Sequence, residues 1–398
     1  MNNNTKSGAM GLVVTVFVIL AGVVAAAWVT GLWVLTAIPI GILFGFFLQK
    51  GDLCGASAFS EVILMKDWRK TWGLWVCIAT GMVSFAALDL FGLVQLNPKP
   101  FLWASLLVGG LLFGVGMVLT GGCVSGTLYK AGIGHINSIV ALLGIPVGIA
   151  MVEYGPLNGL HLYLKTFNAG RITFPSVTGL PYWGLAILFA SGTLAVALWK
   201  RDKSSGTARP AGFRGLLAAK SWRPWVAGIA IGVLGAPAYL SSAASGRNYP
   251  LGVTHGVVFA ELAVTDHNLN FVYEPARAPD VANPSPAMPA NPGKKVSLWL
   301  LLLVLGVIAG SWTSARISGQ ARLIAKPPEQ ILVALAGSVL VGAGAALATG
   351  CVIGNILSGI ALMSVGMVFF AAVVILANWA TTYVYLMGGS LRQAVQSK

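Results

Sequence analysis

Hydrophobic residues fill this chain in long runs rather than in alternation. Apolar stretches of about 17 residues or more recur along its whole length, enough for an α-helix to cross hydrocarbon. Ten spanning helices are read at 10–30, 33–49, 72–95, 101–121, 135–155, 180–199, 224–243, 295–313, 328–348 and 361–386. Four shorter apolar pieces remain, at 53–65, 122–131, 250–263 and 350–360. Each is too short to span, and each begins at a glycine-rich break. Broken backbone is tolerated at membrane depth only where it faces protein or a cavity, so these pieces are expected to be re-entrant half-helices. The fold class is an all-α polytopic membrane protein.

Composition agrees with the pattern. Of 398 residues, 57% are hydrophobic and 9% charged, where soluble domains carry about 25% charged residues. Fifty glycines suit closely packed membrane helices. The net charge of +14 would suggest nucleic acid in a soluble protein. Here the basic residues sit in short loops between apolar runs, which points to the lipid bilayer and no nucleic acid.

The basic residues also orient the chain. The loop from Lys200 to Arg223 holds seven Lys or Arg against Asp202 and is expected to be cytoplasmic. Counting helices outward puts Lys66, Arg69, Lys70, Arg316, Arg322, Lys326 and both termini on the same side. Segment 264–295 falls outside, with Arg277, Lys294 and Lys295 balanced by Asp266, Glu274 and Asp280. Its prolines, among them Pro275, Pro279, Pro284 and Pro286, read as an extended surface loop. Met1 to Ala9 leads into an apolar run without a small-x-small cleavage pattern, read as a retained helix.

The two halves resemble each other. Residues 114–126 read GVGMVLTGGCVSG and residues 342–354 read GAGAALATGCVIG, with seven identities in thirteen positions. A weaker match pairs Leu53-Cys54-Gly55-Ala56-Ser57 with Pro250-Leu251-Gly252-Val253-Thr254. Each half then reads helix, half-helix, helix, helix, half-helix, helix. Five spans separate the mates, an odd number, so the repeats are expected to be inverted, with a binding site at their interface. The expected divisions are an added N-terminal helix at 1–32, a first repeat at 33–155, a connecting helix and basic loop at 156–223, a second repeat at 224–386 and a tail at 387–398.

The breaks carry the candidate chemistry. Four cysteines are present, three of them on breaks: Cys54, Cys123 and Cys351. Gly122 and Gly350 precede two of them and are expected to permit the turn, while Gly55 follows the third. Gly126 and Gly354 are expected to thin one side of their half-helices. A residue at a half-helix N-terminus meets free backbone N–H groups that favour an anion. A neutral thiol adds a weak, polarizable S–H donor, whereas a thiolate would repel an anion. Together these suit a small anion with exposed sulfur. Cys77, within Trp75-Val76-Cys77-Ile78, reads as packing. Ser125, Thr127 and Asn355 could donate to a substrate or to helix carbonyls. Asp89, Glu153 and Glu61 lie near helix ends, where snorkelling to water is expected. The histidines, His135, His161, His255 and His267, show no metal-ligand spacing with the cysteines, and no nucleotide motif or catalytic triad is evident. No cofactor is expected.

The motifs Gly51-Asp52-Leu53-Cys54-Gly55, Gly121-Gly122-Cys123-Val124-Ser125-Gly126, Tyr249-Pro250-Leu251-Gly252-Val253-Thr254 and Thr349-Gly350-Cys351-Val352-Ile353-Gly354 resemble the YeeE/YedE membrane proteins, which include bacterial thiosulfate transporters. The resemblance runs from about Gly41 to Leu386. It implies an hourglass-like helical fold in the cytoplasmic (inner) membrane. It also implies thiosulfate uptake in which the thiols of Cys54, Cys123 and Cys351 hand the ion along by S–H hydrogen bonds. A small sulfur-carrier partner of the TusA type is implied too. The helix at 10–30 and the long segments 200–223 and 264–295 depart from the family pattern. Two alternatives are a membrane sulfurtransferase using a persulfide on Cys123 or Cys351, and a transporter of a selenium compound. The motifs offer no nearby base for the enzyme, so a non-enzymatic role is expected.

Overall fold

The computed structural model describes residues 3–199, 219, 221–266, 269–273 and 294–388. Most of the basic loop 200–223, the centre of the outer loop 264–295 and the tail beyond 388 lie outside the described residues. In chain order the helices are α1 (Asn3–Thr30), α2 (Ala37–Gly51), α3 (Gly55–Met65), α4 (Arg69–Leu90), α5 (Trp103–Thr120), α6 (Val124–Ile133) and α7 (Ile136–Glu153). Then come the short α8 (Asn158–Lys165) and α9 (Phe174–Thr178), and the apolar α10 (Tyr182–Trp199). The second half holds α11 (Pro224–Ala244), α12 (Thr254–Thr265), α13 (Leu298–Ile317), α14 (Pro328–Leu347), a π-wound half-helix (Val352–Gly359) and α15 (Val365–Thr381). Nine spans among the described residues are long and apolar enough to cross a membrane, and α1 occupies the place of the tenth expected helix.

All four short apolar pieces are helices that start at a break: α3, α6, α12 and the π half-helix. Three features differ from expectation. The expected helix 361–386 starts at Val365 and ends in a π-wound turn, Thr382–Met387. The connection after α7 contains α8 and α9. Two short strands, β1 (Leu269–Val272) and β2 (Lys294–Ser297), pair in parallel at the ends of the expected loop.

The halves pack as equivalent sets. α2 packs on α13, and its counterpart α11 packs on α4. α7 packs on α14, and α15 on α5. α5 and α14 pack on each other across the middle. Lipid tails are as apolar as leucine, so helices here gain by close backbone approach rather than by hiding from water. Glycines supply that approach. A Cβ at Gly306 would stand 2.8 Å from the Ile38 carbonyl oxygen, and one at Gly232 would stand 2.8 Å from the Cys77 carbonyl oxygen. The repeat-matched glycines occupy matched contacts. Gly114 lies on Val374 and Ala377 of α15, while its mate Gly342 lies on Ile145 and Ile149 of α7. Gly116 and Gly344 both sit in the α5–α14 crossing. α10 packs on α4, where Trp75 Nε1 donates to Thr193 Oγ1 at 3.0 Å, and leaves Ile187, Leu188, Leu194 and Leu198 exposed, as a lipid-facing helix would.

Candidate functional site

Three of the four half-helices begin directly after a cysteine. Cys54, Cys123 and Cys351 are the N-cap residues of α3, α6 and the π half-helix, all with extended backbone. No side chain caps these ends. The first N–H groups of each helix therefore lack an intrahelical or side-chain cap partner, which leaves an anion-favouring field at each thiol. All three cysteines are fully buried and reduced. The fourth break differs. α12 starts at Thr254, so Val253 takes the cap position, two residues later than the motif match suggests.

The turns are made differently from expectation. In the first repeat the left-handed residue is Gly121, with φ 72°, and Gly122 follows without positive φ. In the second, Thr349 takes φ 57° and Gly350 φ 159°. A side chain at Gly122 would instead crowd Thr127, whose Oγ1 would stand 3.2 Å from the new Cβ. The mates Gly126 and Gly354 also diverge. A Cβ at Gly126 would overlap Cys54 Sγ and stand 3.6 Å from Cys123 Sγ, so one glycine lies beside both thiols, whose side chains are within hydrogen-bonding reach of each other. At Gly354 the nearest atom is Gly252 Cα at 4.0 Å. Gly55 joins the first break to the last, because its Cβ would lie 2.7 Å from Val352 Cγ2. Cys351 lies within electrostatic reach of Cys123 and of Lys99.

Two cations flank the Cys351 end, and the sequence reading missed both. Lys99 Nζ donates to the Thr349 carbonyl oxygen at 2.5 Å and to Asn355 Oδ1 at 2.7 Å. Arg247 Nη1 donates to the Pro250 carbonyl oxygen at 2.7 Å and the Tyr249 carbonyl oxygen at 3.0 Å. Both stand over the Tyr249 ring, at 4.9 and 5.4 Å from its centroid. Neither has a carboxylate partner among the described residues. Both side chains are partly buried. Burial pulls the Lys99 ammonium down to about 7, with nearby Arg247 adding to the effect. Two cations without a carboxylate partner, beside a half-helix N-terminus, give this end a positive field. Lys99 sits between Pro98 and Pro100 in a connection, where one lysine gives no periodic signal; only the excess of positive charge hinted at it.

The Cys54 end is built around a carboxylate. Asp52 caps α2 in the left-handed region, φ 46°. It accepts a hydrogen bond from Tyr129 Oη at 2.6 Å and pairs with Lys70 at 2.6 Å. Lys70 also pairs with Glu61 at 2.6 Å. Beside this network opens a cavity of about 510 Å³ lined by Gln49, Asp52, Tyr129, His135, Gln320 and Arg322, among others.

The other expected residues divide. Ser125 Oγ lies 3.3 Å from Cys123 Sγ. Thr127 Oγ1 donates to the Cys123 carbonyl oxygen at 2.9 Å, a helix bond. Asn355 Nδ2 donates to the Ala348 and Gly350 carbonyl oxygens at 2.8 and 2.9 Å, fixing the turn. Glu61 and Glu153 do not simply snorkel: Glu61 pairs with Lys70, and Glu153 is hydrogen-bonded to His255. Asp89 is exposed. The Cys77 backbone packs on Gly228 and Gly232 of α11, away from the breaks. Among the described residues no three His, Cys, Asp or Glu side chains are grouped to hold a metal ion.

The chain resembles known proteins over most of its length. The chain is 30% identical over 355 residues to the thiosulfate transporter TsuA of Escherichia coli, covering 87% of this chain and 94% of that protein. It is 28% identical over 365 residues to the protein of the same name from Spirochaeta thermophila, covering 88% and 98%. The probable transporter YedE of Escherichia coli is 32% identical over 121 residues, covering 30% and 29%. These relatives are named as transporters, not as enzymes. Residues 50–380 match the family described as sulphur transport, and the chain belongs to that family as a multi-pass membrane protein.

Proposed function

We propose that this protein takes up thiosulfate, or a closely related sulfur anion, across the cytoplasmic membrane. The anion enters from outside at the Lys99–Arg247 pocket, meets Cys351, passes Cys123 and leaves past Cys54 toward the inside. The observation that carries this reading is the placement of three buried thiols at three half-helix N-termini, two of them side by side at a single glycine. The helix ends favour the negative charge. The S–H groups, as neutral donors, match a soft terminal sulfur better than the hydroxyls that would hold an oxygen-only anion. Lys99 and Arg247 complement the oxygens. The Asp52–Lys70–Glu61 network closes the inner end, and the cavity beyond it is where a small sulfur-carrier protein of the TusA type would receive the product.

The test is uptake of labelled thiosulfate by cells lacking other transporters, with selenium analogues as competitors. Cys123→Ser and Cys351→Ala should each reduce uptake at least tenfold; unchanged uptake in both would sink the relay. Mass spectrometry of the protein after thiosulfate exposure separates relay from persulfide chemistry, since a stable sulfur adduct on Cys123 or Cys351 would favour the enzyme.

A further inference from the structure

One cluster of titratable groups lies outside the thiol path. Glu153, the last residue of α7, is hydrogen-bonded through Oε1 to Nε2 of His255 at 2.8 Å. His255 is the second residue of α12. His161 of α8 is 4% exposed, and its Nδ1 has no hydrogen-bond partner. It lies within electrostatic reach of both Glu153 and His255. Buried polar atoms without partners are uncommon and call for an explanation. Carboxylates and imidazoles on membrane helices mark ion and proton pathways.

Few other charged groups surround this cluster. Lys165 and Tyr154 are the nearest other charged or titratable groups on α8 and the end of α7. Lys294 of β2 stands over the Tyr154 ring at 4.7 Å and pairs with Asp266 at 2.9 Å. Glu261 lies further along α12. α13 and α14, which pack on α12 and α7, carry only Arg316 and Glu329, in the last turn of α13 and the first of α14. α12 itself contacts the first turns of α13, where Gly256 meets Leu300, so Arg316 is at the far end.

The cluster shares an element with the anion pocket. Just before α12, a Cβ at Gly252 would stand 2.9 Å from Arg247 Nη2, and the Leu251 carbonyl oxygen accepts from Ser358 Oγ of the π half-helix at 2.8 Å. This turn therefore touches Arg247 and leads directly into His255 of the titratable cluster. A doubly charged anion entering a negative cell meets a steep barrier. Each elementary charge moved against 100 mV changes the accumulation ratio by about 50-fold, so two charges oppose uptake by roughly 2000-fold. Accumulation against such a gradient needs a coupled cation.

We propose that Glu153, His161 and His255 form a proton-binding site that couples anion uptake to proton uptake. This rests on the reading of the chain as an anion transporter. Anion in the Lys99–Arg247 pocket raises the proton affinity of the cluster, and a bound proton favours the anion in return. The Glu153–His255 pair accepts one proton and His161 a second, which matches the charge of a dianion.

The test uses the full chain in proteoliposomes. Thiosulfate exchange at equal pH and zero potential examines the transport reading by itself. A gradient of about one pH unit, acid outside, should then drive about tenfold accumulation per coupled proton. Glu153→Gln and His161→Gln should each keep exchange within about threefold while accumulation falls about tenfold, one of the two coupled protons being lost. Wild-type exchange with no response to the pH gradient would overturn the proposal, as would a full response in Glu153→Gln. Absence of wild-type exchange would remove the transport reading and the proposal with it. If the variants do not fold, proton uptake on adding thiosulfate to weakly buffered Lys99→Arg protein decides, because the guanidinium there stays charged and contributes no proton. One to two protons per bound anion are expected, and none would overturn the proposal.

Discussion

Replacing Gly126 with alanine should interrupt the path between two thiols without harming the fold. The added methyl would overlap Cys54 Sγ and stand 3.4 Å from Cys54 Cβ and 3.6 Å from Cys123 Sγ. Restoring ordinary contact requires the Cys54 sulfur to move by about 1 Å or more. Such overpacking costs about 1–3 kcal/mol, offset by the roughly 0.5–1 kcal/mol that alanine gains over glycine within a helix. Net stability should thus fall by about 2 kcal/mol or less, while the spacing of the thiols changes by a distance that ruins a hydrogen bond. Thiosulfate uptake should drop at least tenfold, with the melting temperature of the purified protein nearly unchanged. Gly354→Ala is the matched control, because the repeat-equivalent methyl meets only Gly252 Cα at 4.0 Å. It should transport within about twofold of wild type. Wild-type uptake by Gly126→Ala, or an equal loss in both variants, would refute the assignment of the path to the Cys54–Cys123 side.

Other expectations follow from the same contacts. Lys99→Met should weaken thiosulfate binding about tenfold or more, read by calorimetry, since a charge-assisted contact contributes about 1.5–3 kcal/mol. Because the Lys99 ammonium sits at about 7, wild-type binding should be strongest below that pH and decline as pH rises through it. Lys99→Arg, charged throughout, should flatten that profile. Cys77→Ala should leave uptake within about twofold and lower only thermal stability, as removal of one packed side chain does. Gly45→Val should fail to give a monodisperse folded protein, because its Cβ would press on the Val307 backbone, with Cα at 2.9 Å; chromatography of a fluorescent fusion reads this directly.

Sequence periodicity alone determined the helical membrane fold, the four broken segments and the pairing of Gly114 with Gly342 and Gly116 with Gly344. Hydrocarbon forces every backbone group to pair within its own helix, so long apolar runs have one outcome. The repeat text likewise put Cys123 and Cys351 in equivalent places, and both cap half-helices. What tertiary structure decided was which equivalent positions remain equivalent. Gly126 faces two sulfurs and Gly354 meets only Gly252 Cα at 4.0 Å, at a break that carries Leu251 in place of a thiol and caps its helix two residues later, at Val253. The left-handed turn falls on Gly121 rather than Gly122, a matter of how the α5 end closes, which composition cannot locate. Lys99, Arg247, Lys70 and His161 carry no pattern along the chain. Their roles depend on which groups the packing leaves beside them, and a charge acquires its meaning from partners far away in sequence: Lys99 lies 256 residues from Asn355.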